Sequence, residues 1–490
     1  MENKDQRLRS PDLFPIGSAE RNIGTFGFAI MWVGMAVVLA AFAMGGDGVV
    51  TLPLGWVIVA SLIGCFLIGL VITIVGDIGV EHGLSFPVYM RAPFGTSGTH
   101  IPSIVRAITA SIWFGINTYF GSTAMNGILN ILTGFDNWVL CFAIFATVQI
   151  INTAIGIKAI ERFADVAAPI IILISIWIYY VLSGQAASNG TNVWSIEAVE
   201  APATTGVEVF NGFMLVILAV LGFWSTLGND IPSISRFIKG PKHERNWFKR
   251  NKGTIVGTLI TMPIVQTFMV AIGGVSYIAL GNYDPVVALQ ESASGLVLAI
   301  LLLMIILAQW STNTAANVVP AATIFSNVGG PKVPFYVGVV IAGIVGTLAQ
   351  PWALFSVLSP FLLYSGAILS GVIGILIVDY YIIRKRRVNV PDLYRSEGQY
   401  RYNNGVNLAG YISWILGGGL ALIFVNYSFF VGFFVSAIAY YFLAKHWYFR
   451  KFKQAEVEDP DDEKYLALTV GKDWVIDEKD DSEKDNIASV

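Results

Sequence analysis

Charged side chains are scarce in this sequence. Only 13% of the 490 residues are Asp, Glu, Lys or Arg, whereas 55% are hydrophobic and the mean hydropathy is +0.66. Soluble domains carry about 25% charged residues, so this composition excludes an ordinary soluble fold. The stretches that are apolar and long enough to cross a bilayer, which takes roughly 20 residues, lie at 26–46, 52–75, 101–132, 138–156, 166–183, 209–228, 254–280, 295–319, 334–350, 353–382, 406–426 and 428–446. The sequence therefore predicts an all-α polytopic membrane protein with about twelve transmembrane helices.

Cysteine and histidine are also rare. The two cysteines, Cys65 and Cys141, lie within predicted spans, where a small buried residue is a simpler interpretation than redox chemistry. The four histidines are scattered over loops and helix ends without metal-site spacing, and no Gly-x-x-x-x-Gly-Lys-Ser/Thr nucleotide loop is present. No cluster of acid, base, metal ligand or nucleophile occurs at membrane depth. These absences argue against ATP-driven transport and against an enzyme.

Basic residues are missing from every second loop. If both termini are cytoplasmic, all 30 Lys and Arg fall in the termini, in the even-numbered loops or at their membrane edges, as the positive-inside rule requires. The long loops 184–208 and 281–294 carry acidic side chains without a basic partner. We therefore expect a multi-pass protein of the cell membrane with both termini in the cytoplasm.

The chain divides into three parts by composition. We expect a cytoplasmic segment at 1–25, a transmembrane domain at 26–447 and an acidic cytoplasmic tail at 448–490. Residues 454–490 hold 13 Asp or Glu against 4 Lys, which is typical of a solvated, partly disordered segment. Four aspartates at the predicted cytoplasmic ends of spans are interpreted as solvated end caps or as partners of nearby arginines: Asp77, Asp165, Asp230 and Asp379.

The eighth predicted span contains an uncharged polar run, Trp-Ser-Thr-Asn-Thr-Ala-Ala-Asn at 310–317. Polar groups at membrane depth are costly and usually functional, and the lack of charge indicates a neutral, hydrogen-bonding solute. One helix face carries Ala308, Ser311 and Thr312, whose carbonyl and hydroxyl oxygens form a hard donor set suited to Na⁺. Asn313 and Asn317 share a face turned away by roughly 100–140°. The alternative is that these groups only hold helices together.

In two other spans, tryptophans lie close to a polar residue or to a glycine. Trp113 and Asn117 lie at i and i+4 and share a helix face. An indole beside an amide suits a flat heterocycle, since base–aromatic stacking contributes roughly 1–3 kcal/mol. The run Gly222-Phe223-Trp224 offers a second aromatic plane next to a residue that permits unwinding. The alternative for both places is packing or anchoring at the membrane interface.

Several motifs in a fixed order resemble the nucleobase:cation symporter-1 family, which includes hydantoin, allantoin, uracil and cytosine carriers. The resemblance runs from residue 12 to about residue 447. It is carried by Asp12-Leu13-Phe14-Pro15-Ile16-Gly17, Phe86-Pro87-Val88, Arg91-Ala92-Pro93-Phe94-Gly95, Trp113-Phe114-Gly115, Ile231-Pro232 with Arg236-Phe237, the polar run of the eighth span, Asp379-Tyr380-Tyr381, Arg384-Lys385-Arg386-Arg387 and Asp392-Leu393-Tyr394.

This resemblance implies the leucine-transporter fold. Spans 1–5 (about 26–183) and 6–10 (about 209–382) would be inverted repeats, followed by two helices at about 406–446. Substrate and cation would then lie at the membrane midplane beside broken helices. The family role implied for Trp113 and Trp224 is to sandwich the substrate ring, and that for Asn117 and Asn317 is to hydrogen-bond it. The implied Na⁺ ligands are the main-chain oxygens of Gly34, Val37 and Ala308 and the hydroxyls of Ser311 and Thr312.

Three positions depart from the hydantoin carriers of the family. Val38 stands in place of a glutamine, Asn117 in place of a longer glutamine, and Phe223 in place of a glycine. A site that loses or shortens an amide contact discriminates differently between substrates. The sequence therefore does not identify which small oxidised heterocycle is carried. The candidate substrate-binding set is Val38, Trp113, Asn117, Phe223, Trp224, Asn313 and Asn317.

Three modes of transport fit this reading. Symport with Na⁺ is favoured over proton coupling because no carboxylate occurs at the midplane and both hydroxyls of the cation set are present. Proton coupling and a passive facilitator or channel remain as alternatives. The expected partners are the heterocyclic substrate and membrane lipid, with no nucleic acid and no obligate protein partner.

Overall fold

The computed structural model describes residues 4–38, 40–155, 158–354 and 357–476. Within them the chain is helical, and the only β-type pairing is two isolated bridges. The main helices, numbered in chain order, are α1 (Thr25–Ala36), α2 (Ala40–Val49), α3 (Leu54–His82), α4 (His100–Thr133), α5 (Trp138–Ile155), α6 (Lys158–Ser188), α7 (Gly206–Asp230), α8 (Lys252–Leu280), α9 (Gly295–Gly329), α10 (Phe335–Leu348), α11 (Leu358–Ile383), α12 (Leu408–Ile423) and α13 (Ser428–Leu443).

Every predicted span coincides with a helix or with a broken helix pair. Seven helices of the described chain are long and apolar enough to cross a membrane alone, and α1 with α2 forms a bent pair that makes an eighth. The remaining positions are taken by three shorter apolar helical segments, Ile172–Ser188, α10 and α12, and by α4, whose polar residues lower its mean hydropathy. The prediction of an all-helical polytopic membrane protein is confirmed.

The first span is interrupted between α1 and α2. In a continuous helix the amide of Val38 would donate to the carbonyl of Gly34, four residues earlier. It donates instead to the carbonyl of Ala36, at 3.0 Å. The hydroxyl of Thr312 in α9 donates to the Gly34 carbonyl at 2.8 Å. The break therefore leaves a backbone oxygen of α1 facing α9.

Helix α9 changes its winding within the polar run. It is α-helical to Thr312, forms a π-helical turn over Asn313–Val318, and returns to α-helix at Val319–Gly329. The turn ends beside Pro320, which has no amide hydrogen to donate to an earlier carbonyl. Arg106 of α4 donates to the carbonyl of Ala316 at 3.3 Å. Such π segments are frequent at functional sites, and this one widens α9 where its polar side chains lie.

One end of the bundle carries both described chain ends, and we call it the terminal face. It comprises residues 4–23, 83–99, 236–251, 384–407 and 444–476. The prediction of a solvated tail is wrong for residues 454–456 and 465–474, which are buried or half-buried against the terminal face, whereas the acidic stretch 458–464 between them is exposed. The carboxylate of Glu81 accepts hydrogen bonds from the amides of Ala467 and Thr469, at 3.1 and 3.0 Å. Buried tail residues include Glu456, Tyr465 and Leu468.

An ion-pair network next to the terminal face bonds to the tail through Thr469. Arg250 contacts Asp77 at 2.8 Å and Glu81 at 2.9 Å, and Arg386 contacts the same two carboxylates at 3.2 Å each. The hydroxyl of Thr469 inserts among them, donating to Glu81 at 2.6 Å. Alternating charges satisfy one another in such a ring, which is the condition for burying ions. The tail thus completes a network that joins α3, the segment before α8 and the segment after α11.

The aspartates at the span ends are buried partners of arginines, and the alternative of solvated end caps is wrong for the three described here. Asp77 pairs with Arg250, and Asp379 pairs with Arg384 at 2.8 Å while accepting hydrogen bonds from two tyrosines. Asp230 lies 3.7 Å from Arg106. The side chain of the fourth, Asp165, lies outside the described residues.

Candidate functional site

A small cavity of about 20 Å³ lies where α1, α4, α7 and α9 meet. Its lining residues are Met35, Trp113, Asn117, Phe223, Trp224, Thr226, Leu227, Thr312, Ala316 and Asn317. A volume of this size holds about one water molecule. The structure has therefore closed around the predicted site rather than leaving room for a ring.

Phe223 occupies the space between the two tryptophans. Its ring centroid is 4.8 Å from that of Trp113, at an interplanar angle of 79°, and 4.8 Å from that of Trp224, at 87°. Both contacts are edge-to-face, a favourable aromatic geometry. Two further rings support the outer sides, Phe361 against Trp113 at 5.6 Å and Trp32 against Trp224 at 5.1 Å. The two indoles are thus held in place, and Phe223 fills the gap between them.

The cavity wall carries hydrogen-bonding groups that the rest of the described chain does not use. The indole nitrogens of Trp113 and Trp224 are buried without a partner. The amide of Asn117 lies on the wall, is 3% exposed, and takes part in no hydrogen bond within the described chain. Buried donors are normally paired, so these are groups that a bound polar molecule can satisfy. All of them are uncharged.

The two asparagines of α9 have different surroundings. Asn313 is fully buried away from the cavity, and its side-chain nitrogen lies 3.0–3.1 Å from the Phe114 carbonyl, the Thr118 hydroxyl and the Gln149 side-chain oxygen. Its own oxygen accepts from the amide nitrogen of Asn317 at 2.9 Å. This contact fixes which way Asn317 turns, and it leaves the Asn317 oxygen as the acceptor on the cavity wall.

The predicted cation ligands come from two helices. The structure brings Gly34, Ser311 and Thr312 together: the Thr312 hydroxyl bonds the Gly34 carbonyl, and a Cβ on Gly34 would lie 3.4 Å from the Ser311 hydroxyl oxygen. Val37 follows the last residue of α1, and Ala308 is buried one turn before Thr312. These groups offer neutral carbonyl and hydroxyl oxygens with no carboxylate among them. That chemistry fits a hard monovalent cation such as Na⁺.

Most of the predicted substrate residues converge, and two do not. Trp113, Asn117, Phe223, Trp224 and Asn317 all line the cavity, whereas Val38 and Asn313 are buried elsewhere. Sequence reasoning missed four lining residues: Met35, Thr226, Leu227 and Ala316. Each lies within three residues of a predicted site residue. Proximity along a helix was therefore the only sequence signal for these four residues, and it does not indicate which helix face is turned toward the cavity.

Two much larger cavities lie at the ends of the bundle, away from these groups. One of about 590 Å³ is formed by residues 201–218 with Thr51, Leu363, Asn426 and Tyr427, and one of about 510 Å³ opens on the terminal face. Neither cavity is lined by Trp113 or Trp224. The chemistry of the central cavity, and not its size, marks it as the candidate site.

Comparison with known proteins identifies the family. Residues 15–447 match the family described as "Permease for cytosine/purines, uracil, thiamine, allantoin". The chain belongs to this family. It is 30% identical to a hydantoin permease of Microbacterium maritypicum over 468 residues, covering 94% of this chain and 93% of the relative. It is 28% identical to an allantoin permease of Bacillus subtilis over 477 residues, covering 91% and 94%.

Among solved structures, the chain resembles Mhp1, a nucleobase-cation-symport-1 family transporter in a closed conformation with bromovinylhydantoin bound. The TM-score is 0.83 at 27% sequence identity, over 91% of this chain and 97% of that one. The fold is therefore the leucine-transporter fold, with two inverted repeats of five spans and two additional helices. The protein is a multi-pass membrane transporter, and the prediction that it is not an enzyme is confirmed.

Proposed function

We propose that this permease is a secondary active symporter that imports a small neutral heterocycle of the nucleobase, allantoin or hydantoin class together with Na⁺. The observation that carries the proposal is the set of unpaired, uncharged donors and acceptors around the aromatic rings of the central cavity. The indole nitrogens can only donate, whereas the Asn317 oxygen accepts. A ring with alternating C=O and N–H groups is complementary to such a wall.

The size of the closed cavity indicates how binding proceeds. With Phe223 between Trp113 and Trp224, no ring fits until Phe223 or a neighbouring helix moves. Substrate binding therefore exchanges two edge-to-face contacts of Phe223 for stacking of the substrate. A flat solute that stacks on the indoles can offset the free energy lost when the Phe223 contacts break. This favours a planar heterocycle over a sugar or an amino acid.

Thr312 supplies the physical link between substrate and cation in this proposal. Its side chain lines the substrate cavity, and its hydroxyl donates to the carbonyl of Gly34 in α1, next to the break between α1 and α2. A Na⁺ ion held by these oxygens would draw α1 and α9 together, and with them the cavity walls. Substrate affinity would rise because the closed wall is stabilised, and linkage requires that substrate raises Na⁺ affinity by the same factor.

Proton coupling is the second candidate, and one observation favours it. The carboxylate of Asp230 is fully buried, one helical turn beyond Thr226 of the cavity wall, and one of its oxygens makes no hydrogen bond within the described chain. An intramembrane carboxylate is a common proton carrier. Arg106 at 3.7 Å argues for a charged Asp230 in this state, and so sodium remains the primary proposal.

We further propose that the terminal face is cytoplasmic and that the membrane is the cell membrane. The loops at the opposite end, such as 189–205 and 281–294, contain no Lys or Arg. Arginines and lysines are instead concentrated on the terminal face, in segments such as 236–252 and 384–401. Positive loops remain on the cytoplasmic side during insertion.

The proposal is tested by uptake into proteoliposomes. Labelled uracil, cytosine, allantoin and hydantoin are offered with an inward Na⁺ gradient, with an inward proton gradient, or with choline, and leucine and glucose serve as unrelated solutes. Accumulation of a heterocycle above its external concentration with Na⁺ is expected. Accumulation with the proton gradient alone would select the proton alternative, and equilibration without accumulation would select a facilitator.

The matched variants are Thr312→Ala and Thr314→Ala. Thr314 is a buried threonine of the same turn whose hydroxyl donates to the Trp310 carbonyl at 2.9 Å and does not line the cavity. Thr312→Ala should abolish the effect of Na⁺ on substrate affinity, a coupling of about 1–3 kcal/mol, while Thr314→Ala retains it. Equal loss in both variants would assign the effect to helix packing.

A further inference from the structure

The 510 Å³ cavity of the terminal face is built by four segments that are distant in the sequence. They are the N-terminal segment, the turn that starts α4, the end of α9, and the loop before α12. Its main polar lining residues are Arg7, Thr96, Ser97, His100, Asn327 and Arg401. The volume lies in the range of small-molecule sites, roughly 300–1,000 Å³, and is about 25 times that of the central cavity at about 20 Å³.

A positive charge without a carboxylate partner lies directly behind this wall. Arg91 is fully buried and donates to three neutral oxygens: the Leu8 carbonyl at 3.1 Å, the Leu393 carbonyl at 2.9 Å and the Asn327 side-chain oxygen at 2.7 Å. Burial lowers the pKa of Arg91 to about 10, so it remains charged at neutral pH. A buried charge is costly unless an opposite charge compensates it, and none of the described carboxylates does.

Two polar atoms of residues that form the cavity wall are buried and have no partner in the described chain. The side-chain nitrogen of Asn327 is buried and unbonded, while its oxygen is held by Arg91. Asn327 is only 3% exposed, and this residue forms part of the wall. The Nδ1 atom of His100 is likewise buried without a partner. The contact with Arg91 orients the Asn327 amide so that its N–H groups, and not its oxygen, are free.

The acidic residues around the cavity are already paired. Glu397 also lines the cavity, where it forms an ion pair with Arg401. Asp5 accepts from the backbone amide of Ser396 and lies 4.0 Å from Arg9. The exposed guanidinium of Arg7, on the other hand, lines the cavity without an ion pair in the described chain. The net field inside the cavity is therefore positive.

We propose that this cavity is a binding site for a phosphate-bearing small molecule, distinct from the transported substrate. The phosphate would lie beside Arg7, in the field of Arg91, with the buried Asn327 amide turning its free N–H toward it. The rest of the ligand would fill the remaining volume along Thr96 and Ser97. Arginine and amide donors are the groups that bind phosphate oxygens well. The same chemistry could be presented by a soluble phosphate ester or by a phospholipid headgroup.

Occupancy of the site would tie the terminal face together. The ligand would bridge the N-terminal segment, which leads into α1, and the end of α9, and both helices also form the central cavity. Binding would thereby favour the state in which the terminal face is closed. The site is then a point at which a metabolite or a lipid adjusts transport without entering the translocation path.

Binding is measured on the purified full-length protein at fixed ionic strength. The soluble arm titrates inorganic phosphate and glycerol 3-phosphate in detergent and follows intrinsic tryptophan fluorescence and thermal stability. The lipid arm titrates phosphatidylglycerol into nanodiscs of a neutral, phosphate-free glycolipid and follows the same two signals. The variants are Arg7→Ala, which removes an exposed charge and preserves the fold, and Asn327→Leu. The matched control is Arg245→Ala, an exposed arginine of the same face that does not line the cavity.

Saturable binding in either arm, weakened about tenfold or more by Arg7→Ala and by Asn327→Leu but unchanged in Arg245→Ala, is the expected result. The arm that responds identifies the source of the phosphate. Absence of saturation in both arms overturns the proposal, as does an equal loss in Arg245→Ala, which would mean non-specific attraction to a basic face. Binding of the transported heterocycle is measured in parallel. Its retention in Arg7→Ala separates this site from the central one.

Discussion

Removal of the Phe223 ring is the perturbation that most directly tests the organisation of the substrate site. The ring lies between Trp113 and Trp224, 4.8 Å from each, and only 8% of the residue is exposed. The sequence resemblance implies that hydantoin carriers have a glycine at this position. The variant Phe223→Gly should therefore widen the space between the indoles without changing either of them.

The magnitudes follow from the contacts. Each edge-to-face pair contributes about 0.5–1.5 kcal/mol beyond burial, and truncation of a buried phenylalanine costs about 3–5 kcal/mol of stability. The space gained is about that of a benzene-sized cavity, roughly 150 Å³, compared with about 20 Å³ in the closed site. A substrate ring inserted between two indoles gains one more stacking partner, about 1–3 kcal/mol, which corresponds to about a 5- to 150-fold gain in affinity.

The assay compares two ligands that differ only in bulk, hydantoin and its 5-benzyl derivative. We expect Phe223→Gly to increase the affinity ratio of benzyl-substituted to unsubstituted ligand by at least fivefold, and to lower the thermal stability of the ligand-free protein. The control is Phe361→Ala, because Phe361 also contacts Trp113, at 5.6 Å, but does not line the cavity. An unchanged ratio in Phe223→Gly, or the same change in Phe361→Ala, would refute the assignment of Phe223 to the substrate path.

Three other predictions concern the walls and the tail. Trp113→Ala and Trp224→Ala should each weaken substrate binding by about 1–3 kcal/mol through loss of one stacking partner, as measured by equilibrium binding. Asn313→Leu should lower substrate affinity although Asn313 does not line the cavity, because Asn317 loses the contact that orients its amide. Glu81→Gln should release residues 454–476 from the terminal face, since removing one partner of a buried ion network costs about 3–5 kcal/mol, and limited proteolysis should then cut the tail.

Each of these variants has a counterpart that isolates the cause. Trp194→Ala removes an exposed tryptophan from a loop at the opposite end of the bundle and should leave binding intact. Asn126→Leu removes an asparagine of α4 that donates to Asp136 outside the cavity and should leave substrate affinity unchanged. Glu458→Gln removes a tail carboxylate of a solvent-exposed pair with Lys453 and should not change proteolysis. Equal cleavage in Glu81→Gln and Glu458→Gln would contradict the role given to the buried network.

The number of spans, their helical type and the location of the polar positions could be read from the sequence. These properties are local, because a run of about 20 apolar residues must be helical in a bilayer whatever its neighbours are. The spacing i, i+4 likewise placed Trp113 and Asn117 on one face, and both line the cavity. The resemblance to a known family added the pairing of these residues with Trp224 and Asn317, which local spacing does not contain.

The tertiary structure decided the contacts between residues that are far apart in the sequence. The same spacing argument put Asn313 on the face of Asn317, yet only packing against Thr118 and Gln149 turned its side chain away from the cavity. Composition predicted a solvated acidic tail, whereas contacts with distant segments hold parts of it in place: Arg384 pairs with Glu456, and Glu81 accepts from the amides of Ala467 and Thr469. Periodicity specifies which residues share a helix face, but the neighbouring helices determine what that face meets.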